Sequence, residues 1–308
     1  MDTQKKLTVF TPTYNRKHLL RNCYESLKRQ TSFDFVWLIV DDGSKDGTEA
    51  EVSEWIDVGN PFEIIYIYKE NGGLHTAYNI ALEQIRTELC ICIDSDDYVT
   101  DDAVACILNF WSAQKRDDVA GIVALNQTVD TEILGNPLPA LPSAHIIDLY
   151  CKYNCRRDLK MIYRSDILKE NAPIPVFPSE RFMNPYYLFL KVDKQYPMLL
   201  LNKPVCIVNY QTDGMSTSIV SQYIQSPNSY AELRRMMMSM PGASWTYVYK
   251  NAIHYVSSMI FAARPHMIAH APNKIAVSLA LLPGIALNIL IRLIHEIKKK
   301  KKYSTIIL

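Results

Sequence analysis

Three carboxylates stand within four residues at Asp94-Ser95-Asp96-Asp97, directly after the apolar run Leu89–Ile93. Carboxylates this close repel one another unless a cation or hydrogen bonds offset their charge. A divalent ion such as Mg²⁺ or Mn²⁺ is commonly held by one or two carboxylates and completed by substrate phosphates. Such an ion would neutralise the charge that builds on a departing phosphate group. The alternative interpretation is the acidic first turn of a helix, where aspartate is also favourable.

A second acidic pair, Asp41-Asp42, closes the apolar run Phe35–Val40 and is followed by Gly43-Ser44. A carboxylate in this position can accept hydrogen bonds from a base N–H group or from ribose hydroxyls. Ordinary turn chemistry is the alternative, because Asp and Gly are common turn residues. Tyr14 offers a ring face on which a base can stack, or it is simply an aromatic residue at a rim.

Asn71-Gly72-Gly73 precedes a helical pattern that runs from Leu74 to Ile85. Backbone N–H groups and the positive end of a helix dipole at such a place favour a bound anion. A tight turn before the helix explains the same residues equally well.

The polar clusters all follow strand-like runs that alternate with helical patterns. The runs are Leu7–Phe10, Phe35–Val40, Phe62–Tyr68, Leu89–Ile93 and Val119–Leu125. This alternation predicts a doubly wound, mostly parallel α/β sheet of Rossmann-like type. Ligands bind outside the carboxyl ends of the strands in such sheets, so the clusters should converge on one edge. Pro12 should end the first strand, Asn15 should cap the first helix, and Thr48 with Glu51 should form a capping box.

Four of these segments together resemble the family 2 glycosyltransferases of the GT-A fold, in order and in spacing. They are Thr11–Arg16, Val40–Thr48, Glu70–Gly73 with Asn79, and Asp94–Asp97, and they span roughly the first 105 residues. The resemblance implies an inverting transferase that uses a nucleotide diphosphate sugar, commonly a UDP-sugar, with Mn²⁺ or Mg²⁺. It implies that Asp96 holds the metal and that the nucleotide sugar contacts Pro12, Thr13, Tyr14, Asp42, Gly73, Asp94 and Ser95.

The family also has an acidic general base, for which Glu180 in Pro178–Phe182 is the candidate. This segment resembles the Glu-Lys-Phe variant of some capsule and surface-polysaccharide transferases, which usually carry another Glu where this chain has Pro185. Asn209–Ser216 resembles the loop that folds over the donor pyrophosphate. Ser216 is expected to bind the donor there, while Asp213 is either a second candidate base or part of a turn.

Composition limits the partners of the protein. Of the 308 residues, 33 are basic and 32 acidic, giving a net charge of +1, so the chain should not be a general nucleic-acid binder. The first six residues contain no apolar leader, so we expect the reducing cytosol. The expected partners are a nucleotide diphosphate sugar and a glycan or lipid-linked acceptor.

The chain should divide into a catalytic domain over residues 1–215 and a helical region over 216–308. The catalytic domain would comprise a nucleotide-binding half of about 1–130 and an acceptor half of about 131–215. Ile275–Ile291 has no charged residue but is interrupted by Pro283-Gly284, which predicts two short helices. With the lysine run at 298–302, these helices should lie in the plane of the inner face of the cell membrane. Packing against the catalytic domain and a transmembrane span are the alternatives.

Two other functions fit parts of the sequence. Sugar nucleotidyltransferases share the sheet architecture but need a Gly-rich first loop for a triphosphate, and Thr11–Arg16 contains no glycine. A non-catalytic protein that binds sugar nucleotides would have no need for both the acidic cluster and Glu180. Metal-dependent hydrolysis of the donor separates this binder from an enzyme.

Overall fold

Each of the five apolar runs forms a strand. The computed structural model describes residues 5–155, 158–211 and 219–306, with side chains as far as residue 299. The strands are β1 Leu7–Thr13, β2 Phe35–Asp41, β3 Glu63–Tyr68, β4 Leu89–Cys92, β5 Tyr98–Val99, β6 Gly121–Thr128, β7 Ser143–Ala144, β8 Lys160–Arg164 and β9 Met198–Val208. The helices are α1 Lys17–Lys28, α2 Thr48–Asp57, α3 Leu74–Gln84, α4 Ala103–Gln114, α5 Ile146–Cys151, α6 Ser165–Asn171, α7 Tyr186–Asp193, α8 Ile219–Gln225, α9 Pro227–Met238, α10 Trp245–Phe261, α11 Lys274–Leu279 and α12 Leu281–Ile306.

The described strands form one mixed sheet in the order β3-β2-β1-β4-β8-β6-β9-β5, with β7 also paired to β9. β1 to β4 are mutually parallel, and β8 runs antiparallel to both β4 and β6. β6 and β9 therefore share the direction of the first four strands, which confirms the mostly parallel sheet. Chain order reverses between β1 and β4, where a ligand crevice is expected in such folds.

The core around this sheet fixes where the strands end. All seven residues of β2 are buried, as a strand covered on both faces requires. Leu20, Cys23 and Leu27 form the buried face of α1, as their spacing predicts. Aromatic rings complete this core, with the Tyr24 and Trp55 rings stacked at 4.3 Å between centroids. The loops that follow β1, β2 and β4 therefore start from a closely packed base.

The first strand is longer than the sequence predicts, because β1 continues through Pro12 to Thr13. β4 pairs with β1 only as far as Phe10, whose carbonyl accepts a hydrogen bond from the Ile93 N–H. Since alternate residues of a strand bond to opposite neighbours, the Pro12 nitrogen faces the side where this pairing has ended. Its missing N–H therefore removes no ladder bond.

The predicted helix caps also differ from the observed ones. Arg16, not Asn15, is the N-cap of α1. Asn15 has a left-handed φ of 51°, and its side chain accepts a bond from the Lys45 N–H instead. At α2 the capping acceptor is the Asp46 carboxylate, which binds both the N–H and the hydroxyl of Thr48. A short polar side chain bonding two residues ahead satisfies the first turn here, so no capping box is needed.

The chain divides into two compact units. The first comprises Met1–Ile174 and Leu188–Gln211, and the second comprises Pro175–Tyr187 and Thr212–Leu308. The division at 215/216 stays a prediction of the domain boundary. The second unit additionally takes in the segment 175–187, which the sequence assigned to the catalytic domain.

In the second unit, Val248, Ala252, Tyr255 and Met259 are buried along α10, as their helical spacing predicts. The apolar segment after residue 274 does form two helices, but they separate at Ala280 rather than at Pro283-Gly284. Pro283 lies in the first turn of α12, where proline is tolerated because those N–H groups have no partner in the helix. Among the described helices, none combines the length and the apolar character needed to cross a bilayer.

Candidate active site

Backbone hydrogen bonds bring the ends of the parallel strands together at one sheet edge. The Asp42 N–H donates to the Thr13 carbonyl at 2.8 Å, and the Lys69 N–H donates to the Asp41 carbonyl at 2.9 Å. β4 ends beside β1, where the Ile93 N–H reaches the Phe10 carbonyl at 3.0 Å. The segments that follow β1, β2, β3 and β4 therefore start side by side, which confirms the predicted convergence.

Asp42 is a buried acceptor that organises the loop after β3. Its Oδ1 accepts hydrogen bonds from the Lys69 ammonium and from the Gly72 N–H, the latter at 2.9 Å. Its Oδ2 accepts from the Gly73 N–H at 2.8 Å and from the Asn71 side chain at 3.1 Å. The amides that the sequence offered to an anion thus bind a carboxylate of the chain itself. Lys69 is a partner that the sequence motifs did not point to.

The tight packing of this loop explains the glycine that follows Asp42. Gly43 has a left-handed φ of 89°, and a Cβ there would lie 2.9 Å from the Asn71 nitrogen. A side chain at position 43 would both strain the backbone and push the Asn71 loop away. The Asp-Gly pair is therefore more than a generic turn, since it lets two strand-end loops approach each other.

The loop after β1 combines an anchored backbone with an accessible ring. Asn15 donates its N–H to the Ser44 hydroxyl at 2.8 Å, so the loops after β1 and β2 are tied together. Tyr14 beside it is 48% exposed, which leaves its ring free to stack on a base. Pro12 and Thr13 are buried behind it. The Thr13 hydroxyl is buried and has no hydrogen-bond partner among the described residues.

The acidic run after β4 alternates between accessible and buried side chains. Asp94 and Asp96 are partly exposed, whereas Ser95 and Asp97 are buried. Burial and the nearby Asp94 carboxylate both raise the pKa of Asp96 above its ordinary value. A cation near these two carboxylates would relieve that repulsion. The run therefore supplies two accessible carboxylates rather than three.

Asp97, the third carboxylate, has internal partners. Its Oδ2 lies 3.6 Å from the ammonium of Lys160 on β8, and both side chains are largely buried. Its Oδ1 accepts a bond from the Asn209 N–H at 3.2 Å, just beyond β9. Burial raises the pKa of Asp97, and the Lys160 charge opposes that rise. Asp97, which follows β4, thus contacts both β8, through its counter-charge Lys160, and the end of β9.

Lys160 belongs to none of the sequence motifs. The one signal was a lysine at the start of the apolar run Lys160–Tyr163, since a buried lysine needs a partner. Although burial disfavours its charged form, the surrounding Cys206, Asp97 and Asp94 raise the pKa of Lys160 well above its ordinary value. Its positive charge offsets part of the repulsion within the acidic run.

The donor atoms at this edge fit a hard divalent cation. Asp94 and Asp96 offer carboxylate oxygens, which Mg²⁺ and Mn²⁺ prefer. The described residues contain no group of three or more His, Cys, Asp and Glu side chains that could hold a metal. An ion here would thus complete its coordination with oxygens from a bound ligand, as is usual for Mg²⁺ at phosphate sites. Ser216 and Asp213 lie outside the described residues.

Glu180 lies in the second unit and caps a helix there. One carboxylate oxygen accepts from the Asn228 N–H at 2.8 Å and from the Asn228 side chain at 2.7 Å. The other accepts from the Ser229 N–H at 2.8 Å. These N–H groups belong to the first turn of α9, where a carboxylate satisfies orphan donors and the helix dipole. The side chain is buried, and its role as a general base stays a prediction.

Comparison with known proteins places this arrangement in context. Residues 8–171, more than half of the chain, match the family described as Glycosyl transferase family 2. Chondroitin synthase of Escherichia coli is 30% identical over 232 residues, which cover 73% of this chain and 31% of that protein. The matched segments span from 13% to 36% of the length of the curated relatives that the chain resembles.

Solved structures share the fold at low sequence identity. The structure of S. aureus TarS 1-349 in complex with UDP-GlcNAc has a TM-score of 0.62 and 18% identity, covering 93% of this chain and 90% of that one. Mannosyltransferase PcManGT from Pyrobaculum calidifontis, in complex with GDP-Man and Mn²⁺, has a TM-score of 0.56 and 17% identity, covering 92% and 80%. The chain has the GT-A fold and belongs to glycosyl transferase family 2.

Proposed function

We propose that this protein is an inverting glycosyltransferase that transfers a sugar from a UDP-sugar to an acceptor hydroxyl during glycan or surface-polysaccharide synthesis. The observation that carries the proposal is the pair of accessible carboxylates, Asp94 and Asp96, at the β1/β4 switch point of a family 2 chain. The UDP-GlcNAc bound to TarS supports a UDP-sugar donor. The chondroitin synthase relative supports a glycan acceptor.

In this proposal the nucleotide binds across the loops that follow β1, β2 and β4. Tyr14 stacks on the base, and Pro12 with Thr13 lines the base pocket. Asp42 contacts the base, and Gly73 also contacts the nucleotide sugar. Asp42 holds the loop through Gly73 in place as well, because its oxygens accept bonds from that loop. Asp94 binds the ribose, with Ser95 beside it.

Asp96 holds the divalent ion, Mn²⁺ or Mg²⁺, in this proposal. The Mn²⁺ bound with GDP-Man in PcManGT supports a metal at such a site. When bound, the ion supplies positive charge that stabilises the diphosphate leaving group. The carboxylate of Asp94 adds negative charge beside Asp96, which would favour a bound cation.

Inversion needs an acceptor hydroxyl that attacks the anomeric carbon opposite the leaving diphosphate. A base that removes the hydroxyl proton contributes roughly 10²–10⁴-fold to the rate. Glu180 and Asp213 are the proposed candidates for this base. Ser216 is proposed to bind the donor pyrophosphate, as the resemblance of Asn209–Ser216 implies.

We also propose that the reaction takes place at the inner face of the cell membrane. No disulfide joins the seven cysteines, all of which lie in the described residues, and this suits a reducing compartment. A glycan or lipid-linked acceptor would be met at that surface. The lysine run at 298–302 supports attraction to anionic lipid.

A thermal-shift panel tests the donor and metal assignments together. We expect UDP to raise the unfolding temperature more with Mn²⁺ than without, since ligand at 100 times its dissociation constant adds about 2.7 kcal/mol. Asp96→Asn should abolish the Mn²⁺-dependent part, while the exposed control Asp130→Asn should keep it. An unchanged Mn²⁺ effect in Asp96→Asn contradicts the metal assignment. UDP release from a UDP-sugar distinguishes a transferase from a passive binder, and pyrophosphate release from a triphosphate would indicate a nucleotidyltransferase.

A further inference from the structure

One side of α12 is fixed against its own unit. Gly284 approaches α10 so closely that a Cβ would lie 2.5 Å from Val256, and the Asn288 side chain donates to the Ser257 carbonyl at 3.1 Å. Ile291 is buried in a cluster with Tyr223. At 3.6 residues per turn, positions 284, 288 and 291 share one side of the helix. This side is the protein-facing side of α12.

The opposite side of α12 is apolar and exposed. Leu282, Ile289 and Leu293 lie roughly half a turn from the protein-facing positions. We call the exposed apolar residues of α11 and α12 the outer stripe. Its members range from 43% exposed at Ile285 to 80% at Leu282, and they are Ile275, Leu279, Leu282, Ile285, Ile289, Leu290, Leu293 and Ile297. Large apolar side chains exposed along one side of a helix mark an interaction site, whereas scattered single exposed residues do not.

Basic residues accompany the outer stripe. Lys298 and Lys299 follow its last member and are exposed, and the sequence continues with three further lysines. Lys274 is exposed at its other end. Between positions 274 and 302 the sequence has seven basic residues and one acidic residue, Glu296. The partner must therefore combine an apolar interior with a negatively charged surface.

We infer that the outer stripe lies in the plane of an anionic membrane surface, with its apolar side chains among the acyl chains and the lysines at the headgroups. A helix held by protein on one side and apolar on the other can contact lipid from one side only, which is the in-plane arrangement. Apolar contact and a polybasic patch together give the two signals that stable peripheral binding requires. This inference rests on the proposed membrane location and names the surface of the protein that contacts the lipid. It does not depend on transferase activity.

A second copy of the chain is the competing occupant. A symmetric dimer would cover the apolar residues but would give the basic residues no counter-charge, because a two-fold contact places the same predominantly basic patch on both sides. Like charges at a contact oppose association. An anionic membrane offers acyl chains to the apolar residues and negatively charged headgroups to the lysines.

Co-sedimentation of the full chain with vesicles tests the inference. We expect binding to vesicles of phosphatidylcholine mixed with phosphatidylglycerol, and weaker binding to phosphatidylcholine alone. Replacing Leu282, Ile289 and Leu293 together by Ser should weaken partitioning on the order of a hundredfold. Lys298→Gln with Lys299→Gln should weaken it roughly 25-fold on the anionic vesicles only, and added salt should reduce this effect.

Two matched controls accompany these variants. Val58, Val129 and Val176 are similarly exposed apolar residues away from the outer stripe, and replacing all three by Ser should leave partitioning unchanged. Lys28→Gln with Lys152→Gln removes the same net charge from other exposed positions and should also have little effect. Equal losses in variants and controls would overturn the inference.

The remaining outcomes also decide the question. The triple Ser variant should keep the wild-type unfolding temperature, because the side chains that it replaces are exposed. Wild-type vesicle binding in that variant overturns the inference. A dimer seen by light scattering without vesicles, and lost in the same variant, overturns it in favour of self-association. Since no nucleotide is present, failure here leaves the proposed transferase activity intact, and loss of transfer activity leaves lipid binding intact.

Discussion

Replacing Glu180 by Gln separates an anchoring role from a catalytic one. The wild-type carboxylate accepts three hydrogen bonds, two from the Asn228 N–H and side chain and one from the Ser229 N–H. Gln keeps the shape of Glu but replaces one oxygen by a donor, which faces another donor. It also removes the negative charge from the start of α9. We therefore expect the free energy of unfolding to fall.

The magnitude follows from the contacts that are lost. Hydrogen bonds to a charged group contribute about 1.5–3 kcal/mol each, and an anion at a helix N-terminus adds about 0.3–1 kcal/mol. Gln retains at least one acceptor, and the three bonds share one carboxylate, so their contributions do not add in full. The expected loss for Glu180→Gln is roughly 2–4 kcal/mol.

Urea unfolding and steady-state kinetics on the same variants provide the assay. Glu54→Gln, at an exposed carboxylate, is the matched control and should change the unfolding free energy by less than about 0.5 kcal/mol. Asn228→Ala keeps the carboxylate and the two backbone donors, so it should lower the free energy of unfolding by less than Glu180→Gln does. Unfolding of Glu180→Gln at the wild-type urea concentration would refute the anchoring argument.

Turnover of the folded Glu180→Gln variant then tests the general base. A loss of roughly 10²–10⁴-fold at saturating substrates, with unchanged UDP affinity, supports Glu180 as the base. A loss below tenfold excludes that role and makes Asp213 the next candidate. The stability measurement is needed beside the kinetics, because an anchoring residue can reduce activity through misfolding alone.

Two further predictions follow from buried charges. Lys160→Met should lower the unfolding free energy by about 3–5 kcal/mol, because it leaves Asp97 buried without its counter-charge. Lys160→Arg should lower the unfolding free energy by less, and adding Asp97→Asn to Lys160→Met should restore part of the lost stability. If urea unfolding shows the effects of the two substitutions to be simply additive, the ion pair is contradicted. Burial, with the charges of Arg234 and Lys250, lowers the pKa of His254 to about 4. Below about pH 6.5 this histidine is protonated in the unfolded chain but not in the folded one. The free energy of unfolding should therefore decrease by about 2 kcal/mol as the pH is lowered from about 7.5 to 5. His254→Asn should remove this part of the pH dependence, as measured by thermal unfolding.

Much of the sheet was predictable because its strands are continuous apolar runs that end in polar clusters. The run Phe35–Val40 has no charged residue until Asp41, so burial on both faces and the position of the strand end follow directly. Convergence of the clusters then follows from the geometry of parallel strands. The family resemblance added the chemistry, since an acidic run alone is equally consistent with the first turn of a helix.

Local caps and long-range partners were not predictable in the same way. Asn15 has the right residue type for a cap, yet its left-handed backbone directs it toward Lys45 on another loop. Lys69 and Asp42 are 27 positions apart, and their contact depends on the pairing of β2 with β3. Residue type and local spacing carry no information about such a partner, because tertiary packing decides which of several possible bonds forms.

The residues of the acidic run have different surroundings, so each needs its own assignment. Asp94 and Asp96 alternate with Ser95 and Asp97, so two carboxylates stay partly accessible while the third is buried beside Lys160. The residue types alone do not distinguish the three aspartates, and it is the family resemblance that implies Asp96 as the metal ligand. The structure makes Asp97 a link between β4, β8 and the end of β9, where the Asn209 N–H binds it. Because Asn209 is the first residue of the segment proposed to cover the donor, the buried Asp97 carboxylate holds the start of that segment at the end of β9.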